Sequence, residues 1–170
     1  LGQPGDQPPA GRRNGRGIGV SARAGCAIGT ATARRLSRRE TRAMRLLLDT
    51  HFVLWWLGGD SKLGASSRRL IAAGDCAVST ASFIEMRLKS ASGKLTVPSV
   101  ERLHSQLEAE GFGVLPLTPA HVDASARFEQ GHADVFDRLL LGTAAIEGRA
   151  LLTRDAAILA LARRARLAFV

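Results

Sequence analysis

Four acidic residues carry the chemical interest of this sequence. Asp49 stands directly behind the apolar run Leu46-Leu47-Leu48, and Asp155 follows Leu151-Leu152-Thr153 in the same way. Glu85 shares a helical stripe with Ala81 and Leu88, and Asp137 shares one with Leu140, Leu141 and Ala144. Both therefore lie on or beside apolar faces, where a carboxylate is costly unless something positive or hydrogen-bonding meets it. Carboxylates gathered together repel, and some take up protons unless a cation neutralises them. No Lys or Arg stands at matching spacing on both stripes, so a divalent metal is the economical answer. Oxygen-only ligands select a hard cation, Mg²⁺ or Mn²⁺, over zinc. His51, His104, His121 and His132 show no HxxxH or HExxH spacing, and Cys26 and Cys76 form no CxxC pair.

Each of these residues also has a plainer reading. Asp49 and Asp155 each precede an expected helix and would serve as N-caps. Asp134 is read as the cap of its own helix, with Asp137 three residues on. Caps do not sit inside helices, so Glu85 and Asp137 are harder to explain structurally. Trp55 and Trp56 are read as core and interface surface rather than as base-stacking platforms. His51 and His132 lie near the acids, where they would touch phosphate or simply pack. Arg138 and Arg154 neighbour acids and would hold phosphate or pair with those acids. Cys76, at the start of an apolar run, is read as core.

The elements that must position the acids follow from hydrophobic pattern. Strands are expected at Arg45–Leu48, Cys76–Ser79, Val114–Pro116, Ala150–Thr153 and Leu167–Val170. Helices are expected at Thr50–Leu57, Ser66–Ala73, Thr80–Ser90, Ser99–Glu110, Pro119–Phe128, Asp134–Glu147 and Ala156–Arg163. Near-continuous apolar strands between amphipathic helices predict an α/β fold, a parallel sheet flanked by helices on both faces. Ligands of such sheets bind beyond the carboxyl ends of the strands, where all four acids can converge if the strands run parallel.

The 170 residues carry a formal charge of +9, unevenly spread. Residues 1–43 hold nine arginines against Asp6 and Glu40, with 8 of the 18 glycines, 3 of the 6 prolines and no Phe or Trp. A segment so poor in apolar mass is expected to be disordered. An upstream misassigned start before Met44 is the preferred explanation. An arm gripping nucleic acid through Arg34 to Arg42 and a transit peptide are the alternatives. Gly15, Gly17 and Gly19 lack the preceding strand and following Gly-Lys-Ser/Thr of a phosphate loop. No apolar run approaches the roughly 20 residues of a membrane-spanning helix. Sparse cysteine fits a reducing compartment, here the cytoplasm.

Leu46-Leu47-Leu48-Asp49-Thr50-His51 followed by Leu54-Trp55-Trp56-Leu57 closely resembles the opening of PIN-domain proteins of the VapC toxin family. So do Ser82-Phe83-Ile84-Glu85 with Lys89 and Gly93-Lys94-Leu95, then His132-Ala133-Asp134-Val135-Phe136-Asp137-Arg138-Leu139-Leu140, then Leu152-Thr153-Arg154-Asp155. The resemblance spans Met44 to Val170. Ile84 and Val135 depart from the Trp and Pro frequent in the family, beside acids without replacing them.

The resemblance implies a single PIN-like nuclease domain over residues 44–170 and a metal-dependent endoribonuclease of a toxin–antitoxin pair. Asp49, Glu85 and Asp137 would take the principal acid positions and Asp155 the variable fourth, holding Mg²⁺ or Mn²⁺. Thr50 would support the first acid through its hydroxyl, with Arg138 as a further supporting residue. The expected partners are an RNA substrate, a small antitoxin protein and a second copy in a homodimer, with no membrane. Attack by water rather than the 2′-hydroxyl would leave 5′-phosphate and 3′-hydroxyl ends. A non-catalytic RNA- or partner-binding module and a DNA nuclease are the rival readings. A phosphoacceptor domain is disfavoured, because Arg154 and Asp155 stand where it would want a lysine.

Overall fold

A computed structural model describes residues 43–131 and 134–170, so the expectations for most of residues 1–43, and for His132, fall outside the described residues. The chain runs β1 (Arg45–Leu48), α1 (Thr50–Leu57), a 3₁₀ turn (Ser61–Leu63), α2 (Ala65–Ala73), β2 (Asp75–Ser79) and α3 (Thr80–Ala91). It continues with α4 (Val100–Ala109), β3 (Gly113–Leu115), α5 (Pro119–Ser125), a second 3₁₀ turn (Ala126–Gly131), α6 (Val135–Glu147), β4 (Ala150–Leu152) and α7 (Ala156–Arg164). The four strands pair in the order β3-β2-β1-β4, all parallel.

β1 lies inside the sheet, which is why it is apolar on both faces. Leu46 pairs with Cys76 on one side and Ala150 on the other, and Leu47 with Ala77 and Leu151. Alternation then divides its side chains between two cores. Leu46 and Leu48 join Phe52, Val53, Ile71, Phe83, Met86, Leu103 and Leu107, from α1 to α4. Leu47 faces the opposite way, onto Leu140, Leu141, Ala144, Ile158 and Leu161 of α6 and α7. The result is a three-layer α/β/α fold of the expected class. Cys76 is core as expected, and burial pushes its thiol up to about 11.

Two expected elements differ. Pro119–Phe128 does not continue as one helix: α5 stops at Ser125 and gives way to the 3₁₀ turn. Leu167–Val170 contributes an isolated parallel bridge, Leu151 to Phe169, in place of a full strand. The 3₁₀ turn at Ser61–Leu63 was not expected, being too short for any periodicity to register. Gly142 lets α5 and α6 approach closely, since a Cβ there would lie 2.6 Å from the His121 carbonyl oxygen.

Candidate active site

Because every strand runs the same way, the ends of β1, β2 and β4 share one rim, and the helices that follow them start there. Asp49 is the first residue beyond β1 and the N-cap of α1. Its Oδ1 accepts the His51 backbone N–H at 3.3 Å, and its Oδ2 accepts the Thr153 hydroxyl at 2.6 Å. Only 5% of Asp49 is exposed. Burial opposes its charge, yet the hydrogen bonds from His51 and Thr153 prevail and hold the carboxyl below its ordinary range. The Asp49 carboxylate, 3.6 Å from the ring Nδ1, in turn raises the His51 imidazole above its ordinary value, against partial desolvation.

Glu85 lies on the second turn of α3, equally buried. Its Oε2 accepts the Thr50 hydroxyl at 2.6 Å, and its Oε1 pairs with the Lys89 ammonium one turn further along α3. This corrects two sequence expectations. The Thr50 hydroxyl serves Glu85 and not Asp49, whose hydroxyl donor is Thr153. Lys89 at i+4 also supplies Glu85 with a cation, although no single Lys or Arg matches both acidic stripes. Desolvation pulls Lys89 down, but Glu85, aided at longer range by Asp134 and Asp137, raises it overall. That influence places Lys89 within electrostatic reach of the start of α6.

Asp134 caps α6, its Oδ1 accepting the Phe136 N–H at 2.8 Å, while Asp137 sits half-buried in the first helical turn. The assignment of cap and interior acid is as expected. Asp155 caps α7, accepting from the backbone N–H groups of Ala157 at 2.7 Å and Ile158 at 3.0 Å. Its own N–H donates to the Thr153 hydroxyl, so Thr153 joins Asp155 to Asp49. In the sequence Thr153 stands only as the end of an expected strand. Its signal, a hydroxyl residue between an apolar run and an acid, is legible only once the partner is known.

The two neighbouring arginines do not meet the acids beside them. Arg138 lies 3.9 Å from Glu129, and its buried Nε has no partner among the described residues. Arg154 donates to the carbonyl oxygens of Lys62 and Leu63, and its guanidinium lies 5.7 Å from the Phe52 ring centroid. Gly64, at φ +71°, turns the chain away just where that guanidinium sits.

Among the described residues, no three His, Cys, Asp or Glu side chains are drawn together closely enough to hold a metal ion. The chemistry of the donors nevertheless fits a hard cation. Asp49 and Glu85 are buried carboxylates, and the Ser82 hydroxyl, one turn before Glu85, is buried without a partner among the described residues. Lys89 is the rival for Glu85's charge.

The PIN-domain family model matches residues 46–167. No curated protein matches the chain in sequence. Among solved structures, FitAcB from Neisseria gonorrhoeae is similar at 22% identity and TM-score 0.52, covering 73% of this chain and 95% of that one. VapBC2 from Rickettsia felis, bound to a DNA fragment from its promoter, is similar at 15% identity and TM-score 0.52, covering 75% and 98%. At such identities the likeness concerns the fold. The family match over most of the chain, joined to the rim of acids beyond a parallel sheet, places this chain in the PIN-domain family.

Proposed function

We propose that the protein is a divalent-metal-dependent endoribonuclease, the toxin of a toxin–antitoxin pair acting in the cytoplasm. The observation that carries this reading is the pair of buried carboxylates, Asp49 and Glu85, each held by a threonine hydroxyl at the carboxyl rim of the sheet. The two threonine hydroxyls fix the orientation of these buried carboxylates, which a cation-binding acid requires.

Asp49 and Asp137 would hold Mg²⁺ or Mn²⁺ most directly, with Glu85 and Asp155 acting through water or a second ion. When bound, the ion supplies hydroxide near neutral pH and offsets charge growing on the phosphate. The rest falls to the chain itself. Thr153 fixes Asp49 through Oδ2 and ties it to the start of α7. Thr50 turns Glu85 toward the end of β1. Lys89 balances Glu85 in the metal-free protein. The PIN-fold complexes it resembles support a small antitoxin as partner, a basic side chain of which would suit this acidic rim. A homodimer is supported by exposed apolar residues on α3, Ile84 and Leu88 at 48% and 57% exposure.

The Lys89–Glu85 pair favours a second reading, a PIN-fold module that binds RNA or a partner without cutting. One experiment separates the two. The protein is incubated with total RNA, with Mg²⁺ or with chelator, and the new ends are mapped. Metal-dependent fragments with 5′-phosphate and 3′-hydroxyl are expected. Binding that ignores metal, without cleavage, overturns the catalytic reading, and cleavage of DNA alone overturns the substrate.

A further inference from the structure

The two adjacent tryptophans of α1 have different surroundings. Trp56 packs on Phe112, with ring centroids 5.7 Å apart, and its indole N–H donates to Glu110. Trp55 makes no hydrogen bond among the described residues and stays only partly buried. A large aromatic ring with an unused donor, held at a surface, suits a ligand that offers a flat apolar face and an acceptor edge.

Trp55 also has a particular address. It lines a cleft of about 280 Å³ whose other walls are Phe52, His51, Arg154 and the carboxylates Asp49 and Asp155. The His51 ring lies 6.0 Å from that of Trp55, tilted by 41°. Phe52 backs Trp55 at 5.3 Å, and the Arg154 guanidinium stands 5.8 Å from its centroid. Arg154 is tied to two backbone carbonyls and cannot swing away cheaply. The cleft thus joins a preset aromatic cluster to the carboxylates of the acidic site in one lining.

We infer that this cleft seats the base of a single-stranded ribonucleotide next to the scissile phosphate, with Trp55 as the stacking surface and positioning residue. The inference rests on the ribonuclease reading of the acids and adds a subsite to it. Stacking requires a π face and little else, so it tolerates any base, and it leaves the sugar–phosphate chain pointed at Asp49 and Asp155. Trp55 thereby acquires a role that sequence pattern alone assigned to packing.

The test uses the full chain carrying Trp56→Phe, so that Trp55 is the sole indole, and a short oligoribonucleotide in the presence of chelator. Quenching of Trp55 fluorescence on titration is expected. The same oligonucleotide with an abasic nucleotide beside the cleaved bond should quench weakly. In Mg²⁺, Trp55→Leu in the otherwise unaltered chain should raise KM about tenfold with little change in kcat, within the range for loss of one stacked base. Trp55→Phe should recover most of that loss. On the abasic substrate, Trp55→Leu should do no further harm.

Equal quenching by intact and abasic RNA, or an unchanged KM in Trp55→Leu, overturns the inference and leaves the cleft to a protein partner. Base-dependent quenching in a protein that never cuts RNA would sink the nuclease reading while the base subsite stands. The two failures are therefore distinguishable.

Discussion

Asp49 and Glu85 are held from different directions, and this sets what their replacement should do. Asp49→Asn keeps the shape of the cap but removes the charge that the Thr153 hydroxyl and His51 stabilise. It should abolish Mg²⁺-dependent cleavage and lower the metal-free melting temperature by a few degrees. Asp137→Asn should abolish cleavage too, whereas Asp134→Asn should remain active, because Asn caps a helix about as well as Asp. Rates for the three variants decide the assignment, and an active Asp137→Asn would refute it. The His51–Asp49 pair predicts a pH dependence. The folded His51 value is raised, so its contribution to stability is complete below about 6.5, the unfolded value, and fades as pH rises through the folded one. Metal-free melting temperatures should decline over that window, and His51→Gln should flatten the slope. An unchanged slope in the variant would show that other groups set it.

At the scale of elements, α5 and α6 meet where Gly142 faces backbone. A Cβ at this position would come within 2.6 Å of the His121 carbonyl oxygen and 2.8 Å of the Ser125 nitrogen. Neither is a flexible side-chain tip, so the helices must separate. Gly142→Ala should destabilise by about 1–3 kcal/mol despite Ala's better helix propensity. A lowered urea midpoint with an unchanged slope is the expected reading, and a raised midpoint would mean that the contact is looser than it stands here. Because α6 carries Asp137, this variant should also slow cleavage more than its loss of stability accounts for.

For the whole molecule, the exposed Ile84 and Leu88 of α3 form an apolar patch with Val100, around a groove of about 370 Å³. Two copies meeting through this patch would cover it. Light scattering should report a dimer, and Leu88→Glu should yield a monomer of unchanged far-ultraviolet circular dichroism. A monomeric parent protein would dispose of the proposal. Among the described residues no helix is long and apolar enough to cross a membrane.

What the amino-acid sequence determined unaided is the part governed by short-range regularities. β1 and α1 have the expected bounds because a three-leucine run followed by Asp-Thr admits little else, and Asp134 caps α6 because side chain and helix start are neighbours in the chain. The alternation of strands and helices along the chain followed from the same patterns. The tertiary structure alone decided the partners. Thr50 reaches Glu85 across 35 residues and Thr153 reaches Asp49 across 104, because β1 lies between β2 and β4. Arg154 goes to the carbonyls of a 3₁₀ turn some ninety residues earlier instead of to an adjacent acid. The C-terminal segment attains one bridge and not a strand. These pairings depend on the register and order of parallel strands joined by long crossovers, and no residue's immediate neighbours in sequence encode that geometry.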